Sequence, residues 1–304
     1  MIILNTIFPI LGLLALGSIL KKFNIVDDIF LKTSNKLVYF VFFPVMLFWK
    51  ISESSSKDEI SLSLNFAIIL SIAIVFVLSL MSIKLFKISS FQAGSFCQAC
   101  FRFNSYVGMA VVLNVQGISG VRHFGLLVGI IVPIINVISV STLIWHSSKE
   151  FDFHQRIRCL IKAIFSNPLI IGCAGGMFFS KLNIGLPVFF DNSFSLISSA
   201  AIPLALISMG GSLSFKSSSD NFKLSLLSAF IKLLILPLIG YLLLKAFNVT
   251  GIPFKTGMIY LALPTATSTY VLSSQLGSDT KLASSCIMIS TLFSLFSLSF
   301  VLLL

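Results

Sequence analysis

Long apolar stretches constrain this chain more than any other feature of its sequence. Each stretch holds 16 to 25 residues, and a helix that rises 1.5 Å per residue needs about 20 residues to cross a hydrocarbon core of about 30 Å. The sequence therefore predicts ten transmembrane helices, called spans 1 to 10. The spans lie near residues 3–20, 36–51, 62–83, 91–115, 124–145, 160–180, 194–213, 224–246, 255–276 and 282–303.

Composition excludes a water-soluble fold. Of the 304 residues, 57% are hydrophobic and only 10% are charged, whereas soluble domains average about 45–50% and 25%. The formal net charge is +11, but the cations lie in short clusters between apolar stretches, which indicates contact with lipid rather than with nucleic acid. The predicted fold class is all-α integral membrane, with the first apolar stretch kept as span 1 rather than removed as a signal peptide.

No catalytic cluster, metal site or cofactor is indicated, so the chain is not expected to be an enzyme. Cys97 and Cys100 form a C-x-x-C pair, but no second pair or nearby histidine accompanies them, which favours small apolar helix residues over a redox or metal site. The three histidines, His123, His146 and His154, fall in or beside predicted loops.

Positive charge in short loops predicts the orientation, because such loops stay in the cytoplasm. The loops that follow odd-numbered spans carry 13 lysines and arginines, and the other loops carry 6. We therefore expect the protein in a bacterial cytoplasmic membrane, with both termini on the outer side and the segment 149–162 on the cytoplasmic side.

A repeat appears when the chain is aligned on itself with a shift of 159 residues. The predicted halves are residues 1–149 and 150–304, with five spans each. Because five is odd, the second half enters the membrane from the opposite side, as in the inverted repeats of many secondary transporters. The matching pairs are Pro9 with Pro168, Gly17 with Gly176, Lys22 with Lys181, Asn24 with Asn183, Pro44 with Pro203, Lys57 with Lys216 and Gln116 with Gln275.

Four spans have interrupted helical patterns. Pro44 and Pro203 fall inside spans 2 and 7, where a proline removes a backbone hydrogen bond and kinks or breaks the helix. Spans 4 and 9 have polar centres at 101–106 and 263–270. Opened backbone is tolerated in a membrane only where it is buried in protein or lines a cavity, so we expect spans 4 and 9 to be broken and to cross there.

These polar centres supply the candidate solute site. In the functional interpretation the side chains hydrogen-bond a solute, whereas in the structural one they join helices to one another. The residues are Asn104 and Ser105 in span 4, and Pro264, Thr265, Thr267 and Ser268 in span 9.

Two cations lie inside the spans, Arg102 in span 4 and Lys232 in span 8, and no acidic residue is predicted near the middle of any span. Burying a cation in a membrane is costly, so it usually faces the bundle interior or a cavity. An anionic solute would offset that cost. The alternative is that each cation caps exposed carbonyls or extends to the interface.

The sequence resembles the auxin efflux carrier family, which includes plant auxin carriers and bacterial permeases for malate and related organic anions. The resemblance covers nearly the whole chain in the family's order. It is carried by residues 35–39, 43–44, 101–108, 167–170, 202–206, 210–213, Lys232 before Pro237, and 263–268.

The resemblance implies ten helices and a solute site beside the crossover of spans 4 and 9. Asn104 matches the family's asparagine in span 4, and Pro264 matches its crossover proline. It also implies that spans 1, 2, 6 and 7 form one domain and the other six form the second. Many members have a proline soon after the asparagine, where this chain has Gly108 and Met109.

We therefore expect a secondary transporter that moves a small organic anion by alternating access, with a carboxylate as the favoured class of solute. An anion channel lined by spans 4 and 9 is the rival, and a membrane-embedded enzyme is a weaker one. The expected partners are the solute and the lipid bilayer, with no nucleic acid. The solute's identity, the direction and coupling of transport, and the choice between monomer and homodimer stay open.

Overall fold

The computed structural model describes residues 2–53, 61–147, 152, 154–155, 157–158, 161, 167–182, 185–212 and 221–303. Within these residues every regular element is helical, which confirms the all-helical prediction for this part of the chain. The elements are α1 (Ile2–Lys22), α2 (Asp28–Ser52), α3 (Leu62–Leu85), α4 (Ser90–Phe101), α5 (Ser105–His146), α6 (Pro168–Lys181), α7 (Val188–Ser212), α8 (Phe222–Ala246), α9 (Gly251–Leu261), α10 (Ser268–Gln275) and α11 (Thr280–Val301).

Several helices are long and apolar enough to cross a membrane. Among the described residues six stretches meet that requirement by length and composition, and α4 and α5 count together as one of them. These properties fit an integral membrane protein. The predicted inside segment 149–162 lies largely outside the described residues, as do Lys57, Lys216 and Asn183 of the repeat pairs.

Helices α2 and α8 each contain a π-helical turn just before a proline. The turns are Val38–Phe42 and Ile231–Ile235, followed by Pro44 and Pro237. A proline has no N–H for the carbonyl four residues earlier. For Pro237 that carbonyl belongs to Leu233, and the Ser297 hydroxyl of α11 donates to it at 2.8 Å.

The two prolines singled out in spans 2 and 7 both lie inside helices. Pro44 follows the π-helical turn of α2, and Pro203 lies within Val188–Ser212. The chain is helical on both sides of each proline. The local loss of one backbone hydrogen bond is therefore accommodated without ending either helix.

Some predicted boundaries differ from the structure. Helix α2 begins at Asp28 rather than near 36, because the Asp27 carboxylate accepts from the Phe30 N–H and caps the helix. The boundary expected between spans 4 and 5 falls at Gly117, where two helices within α5 meet at a kink. The loop expected there, at 116–123, is shorter than predicted, because the residues that follow Gly117 are helical and His123 lies in the second of these helices. Gly117 alone departs, with φ of 61°, a conformation that glycine adopts readily.

One compact unit comprises residues 1–61, 106–132 and 165–213. In it α1 packs on α7, and α2 packs on α6. Glycines permit both contacts: a Cβ on Gly17 would overlap the carbonyl of Ile207, and a Cβ on Gly176 would overlap the carbonyl of Phe48. Such small residues let membrane helices approach closely without a hydrophobic driving force.

The second compact unit comprises residues 62–105, 133–164 and 214–304. Here α4 packs against α3, α8, α10 and α11. A buried polar cluster joins α4 to α10: the hydroxyls of Ser95 and Ser273 lie 2.8 Å apart, and the Gln98 amide donates to Ser273 at 2.9 Å. All the residues of the candidate solute site fall in this unit.

Candidate functional site

Two helices of the second unit are interrupted where the sequence is polar. Helix α4 ends at Phe101 and α5 begins at Ser105, while α9 ends at Leu261 and α10 begins at Ser268. The intervening residues, 102–104 and 262–267, are not helical. These gaps, called here the α4–α5 break and the α9–α10 break, lie within or beside the predicted polar stretches 101–106 and 263–270.

The two breaks are in direct contact. The backbone N–H of Asn104 donates to the carbonyl oxygen of Pro264 at 2.9 Å. Asn104 is buried, with only 2% of its surface exposed. The backbone that leaves α4 is therefore held to the backbone that leaves α9, and two opened segments satisfy part of each other's hydrogen bonding.

Thr265 ties the α9–α10 break to two more helices. Its hydroxyl donates to the carbonyl of Ala99 in the last turn of α4 at 2.9 Å, and its N–H donates to the Ser290 hydroxyl of α11 at 3.0 Å. The last carbonyls of a helix lack partners within it, so Thr265 supplies one. Its hydroxyl proton is thus used in joining helices, although the oxygen can still accept.

Arg102 connects the end of one helix to the start of another. It is the C-terminal capping residue of α4, is 7% exposed, and donates from Nη2 to the Ser268 hydroxyl at 2.9 Å. A cation at a helix C-terminus is favoured by the helix dipole. Ser268 is the first residue of α10 and Thr267 is its N-cap, with a side chain that makes no capping bond within the described residues.

Aromatic packing joins the α4–α5 break to the end of α9. The ring centroids of Phe103 and Tyr260 lie 4.3 Å apart, and both side chains are buried. Neither Tyr260 nor Ser290 was singled out from the sequence. Tyr260 lies just before the α9–α10 break in sequence but belongs to an apolar helix turn, so no polar pattern marks it. Ser290 lies in the middle of α11, and only the fold brings it to the break.

Lys232 lies in the π-helical turn of α8 and has no exposed surface. Its Nζ has no hydrogen-bond partner among the described residues. The turn packs against α4, the helix that ends at the α4–α5 break. No hydrogen bond in the described part of the chain links Lys232 to Asn104 or Pro264.

The whole chain matches one known protein family. Residues 2–302 fit the family described as "Membrane transport protein", which is the auxin efflux carrier family. The chain belongs to this family. It is therefore an integral membrane protein of a transporter family, as the sequence resemblance predicted.

Two relatives are similar to this member of the auxin efflux carrier family over almost their full length. An uncharacterized transporter of Methanocaldococcus jannaschii is 26% identical over 303 residues, covering 97% of this chain and 96% of the relative. An uncharacterized transporter of Methanothermobacter thermautotrophicus is 26% identical over 299 residues, covering 97% and 95%. Neither name specifies a solute.

In this family member positive charge collects at the breaks. Two helices, α5 and α10, begin at them, and the N-terminus of a helix carries about half a positive charge with unpaired N–H groups. Arg102 adds a full charge. Among the described residues Asp279 is the one buried acidic side chain, and its carboxylate accepts from the Leu282 N–H as the cap of α11.

Proposed function

We propose that this protein is a secondary transporter that moves a small organic anion, a carboxylate, by alternating access. The observation that carries the proposal is the contact of the two helix breaks, with Arg102 hydrogen-bonded to Ser268 at the start of α10. The expected solute contacts are Asn104 and Ser105 on one break, and Thr267 and Ser268 on the other. Pro264 and Thr265 hold the second break in place.

Charge is the reason for choosing an anion. The buried cations Arg102 and Lys232 are costly in a membrane protein, and a carboxylate near the breaks would offset part of that cost. A carboxylate would also accept hydrogen bonds from the helix N-termini. The neutral amide of the same acid would gain the hydrogen bonds but not the charge interaction, which provides a direct comparison.

We further propose ten transmembrane spans arranged as two inverted repeats, residues 1–149 and 150–304. A pair of contacts within the first compact unit supports this repeat. Gly17 faces the carbonyl of Ile207, and Gly176 faces the carbonyl of Phe48. Gly176 follows Gly17 by 159 residues, and Ile207 follows Phe48 by the same 159. The two contacts are therefore equivalent under the repeat, with the roles of the halves exchanged.

The proposed orientation has both termini outside the cytoplasmic membrane. It follows from the excess of lysine and arginine in the loops after odd-numbered spans. The assignment of spans 1, 2, 6 and 7 to one domain and the remaining spans to another is part of the same proposal. Each domain would then contain elements from both repeats.

An anion channel is the second candidate, and burial favours the carrier. Asn104 and Thr265 have 2% and 1% of their surface exposed, whereas a continuous water-filled pore would wet the groups that line it. Purified protein in proteoliposomes distinguishes the two. Saturable carboxylate uptake that is accelerated by the same carboxylate inside the vesicle supports the carrier, and large unitary currents would contradict it.

A further inference from the structure

An apolar groove lies on the second compact unit between α8 and α11. Its volume is about 890 Å³, within the range of ligand pockets. Phe230, Leu234 and Leu238 of α8 line one wall, and Phe293 and Phe296 of α11 line the other. The groove shares no lining residue with the proposed solute site at the helix breaks.

The walls of the groove face outward. Leu234 and Leu238 are 58% and 59% exposed, and Phe296 is 74% exposed. Both α8 and α11 are long and apolar enough to cross a membrane, so these side chains meet hydrocarbon. The lipid-facing surface here is concave. A concave apolar surface of this size must be filled by a lipid acyl chain, because an empty groove would lose the van der Waals contacts of its lining.

The polar groups of the lining do not suit a polar solute. The Ser297 hydroxyl is used in donating to the Leu233 carbonyl. Tyr241 is the other hydroxyl in the lining and lies toward the end of α8, beside the loop to α9. The middle of the groove is therefore hydrocarbon in character, with a polar group where the helix approaches its end.

A cation lies at the Tyr241 end. Lys245, one turn after Tyr241, is exposed, and its Nζ lies 5.8 Å from the Tyr241 ring centroid and 5.0 Å from that of Phe254. Aromatic and basic residues at a helix end mark the level of the lipid headgroups. From Leu226 to Tyr241 the lining of α8 covers about 22 Å at 1.5 Å per residue, most of a bilayer core.

We propose that this groove binds one phospholipid, with an acyl chain along α8 and α11 and the phosphate at Lys245. Moving an acyl chain from the bulk lipid into the groove gains no hydrophobic free energy, because the acyl chain passes from one apolar environment to another. Retention must come from close packing in the groove and from the charge-assisted contact of phosphate with Lys245. Both contributions can be removed separately.

Native mass spectrometry tests this proposal on the full chain. The protein is reconstituted in nanodiscs of phosphatidylglycerol, released, and activated until annular lipid is lost. We expect the wild type to retain one phosphatidylglycerol, and Leu234→Trp and Leu238→Trp to fill the groove and reduce the retained fraction about tenfold. Leu242→Trp is the matched control, since Leu242 is 59% exposed on the same helix but does not line the groove.

The headgroup contact is tested by a variant that leaves the groove unchanged. Lys245→Gln should reduce retention about tenfold, as for the loss of a hydrogen bond to a charged group, while Lys281→Gln, at an exposed lysine of α11, should not. The comparison of Lys245→Gln with Lys281→Gln tests lipid binding even if the tryptophan variants fail to fold. Equal retention in every variant, or none in the wild type, overturns the proposal. A wild-type dimer that Leu234→Trp but not Leu242→Trp converts to monomer overturns it too, and assigns the groove to a second copy.

Discussion

The backbone N–H of Asn104 donates to the carbonyl oxygen of Pro264 at 2.9 Å, across 160 residues of sequence. This bond fixes the two helix breaks against each other and leaves the Asn104 side chain buried beside them. A solute that binds between the starts of α5 and α10 would therefore meet groups whose positions are already set. The predictions below test that arrangement and the fold that supports it.

Replacing Asn104 by Ala should weaken carboxylate binding by roughly 1 to 3 kcal/mol, because partner groups lose a hydrogen bond in a buried site. The backbone bond to Pro264 does not involve the side chain and should persist. Isothermal calorimetry on purified protein with a panel of mono- and dicarboxylates measures the change. Asn65→Ala, at a buried asparagine near the start of α3, is the control. Unchanged affinity in Asn104→Ala would move the site away from the breaks.

Arg102 and Ser268 should be energetically coupled. Arg102→Gln removes the charge, and Ser268→Ala removes the hydroxyl that accepts from Nη2 at 2.9 Å. A double-mutant cycle on thermal unfolding should give a coupling free energy of about 1.5 to 3 kcal/mol, the range for hydrogen bonds to charged groups. Additive effects of the two substitutions would mean that the bond contributes nothing to holding α10 against α4.

The positions of the breaks in spans 4 and 9 could be predicted from the sequence because a polar stretch in an apolar helix is costly in a membrane, whereas a proline alone did not mark a break, since Pro44 and Pro203 lie within continuous helices. Asn104 and Pro264 stand out for that reason. The use of Thr265 could not be predicted: whether its hydroxyl meets a solute or the Ala99 carbonyl depends on how α4 and α9 approach, which no local pattern specifies. Ser290 and Tyr260 were missed for the same reason.

The predicted helix boundaries differ from the structure where hydropathy does not determine where a helix begins or ends. The first turns of α2 from Asp28 are amphipathic, so a search for apolar stretches starts the helix too late, and only the Asp27 cap marks its beginning. Gly117 looks like one of many tolerated helix glycines. Its positive φ, which ends one helix and lets the next begin at once, becomes visible only in three dimensions.

The glycine contacts of the first unit give a direct test of the repeat. Gly17→Ala and Gly176→Ala should each destabilise the protein by about 1 to 3 kcal/mol, because the new methyl group overlaps a facing backbone carbonyl. Gly12→Ala is the matched control in α1, since none of the described residues comes within 4 Å of the added carbon, and alanine should raise helix stability there by up to about 1 kcal/mol. Thermal unfolding in detergent measures all three. A large effect at only one of Gly17 and Gly176 would contradict their equivalence.

The proposed orientation predicts which loops react with a membrane-impermeant thiol reagent. A single cysteine introduced at Ser147, in a cysteine-free background, should be labelled only after the membrane is permeabilised, because it adjoins the segment 149–162. A cysteine at Asn248, in the loop between α8 and α9, should be labelled in intact cells. The reverse pattern would invert the topology and leave the helix breaks unaffected.

Lys232 should affect stability and binding in opposite directions. A buried cation in a membrane protein costs about 2.5 to 3.5 kcal/mol on insertion scales, and Lys232 has no hydrogen-bond partner among the described residues. Lys232→Met should therefore raise the unfolding temperature of the ligand-free protein. If the charge acts on the solute, the same change should weaken carboxylates more than their amides.

Thermal unfolding of Lys232→Met and Lys232→Gln, with and without carboxylates and amides, separates the two roles of this lysine. Lys84→Gln, at an exposed lysine in the last turn of α3, controls for the general loss of positive charge. A loss of stability that is equal with and without ligand would make Lys232 structural. The positive field at the breaks would then rest on Arg102 and on the N-termini of α5 and α10, and the preference for carboxylates over amides should survive in Lys232→Gln.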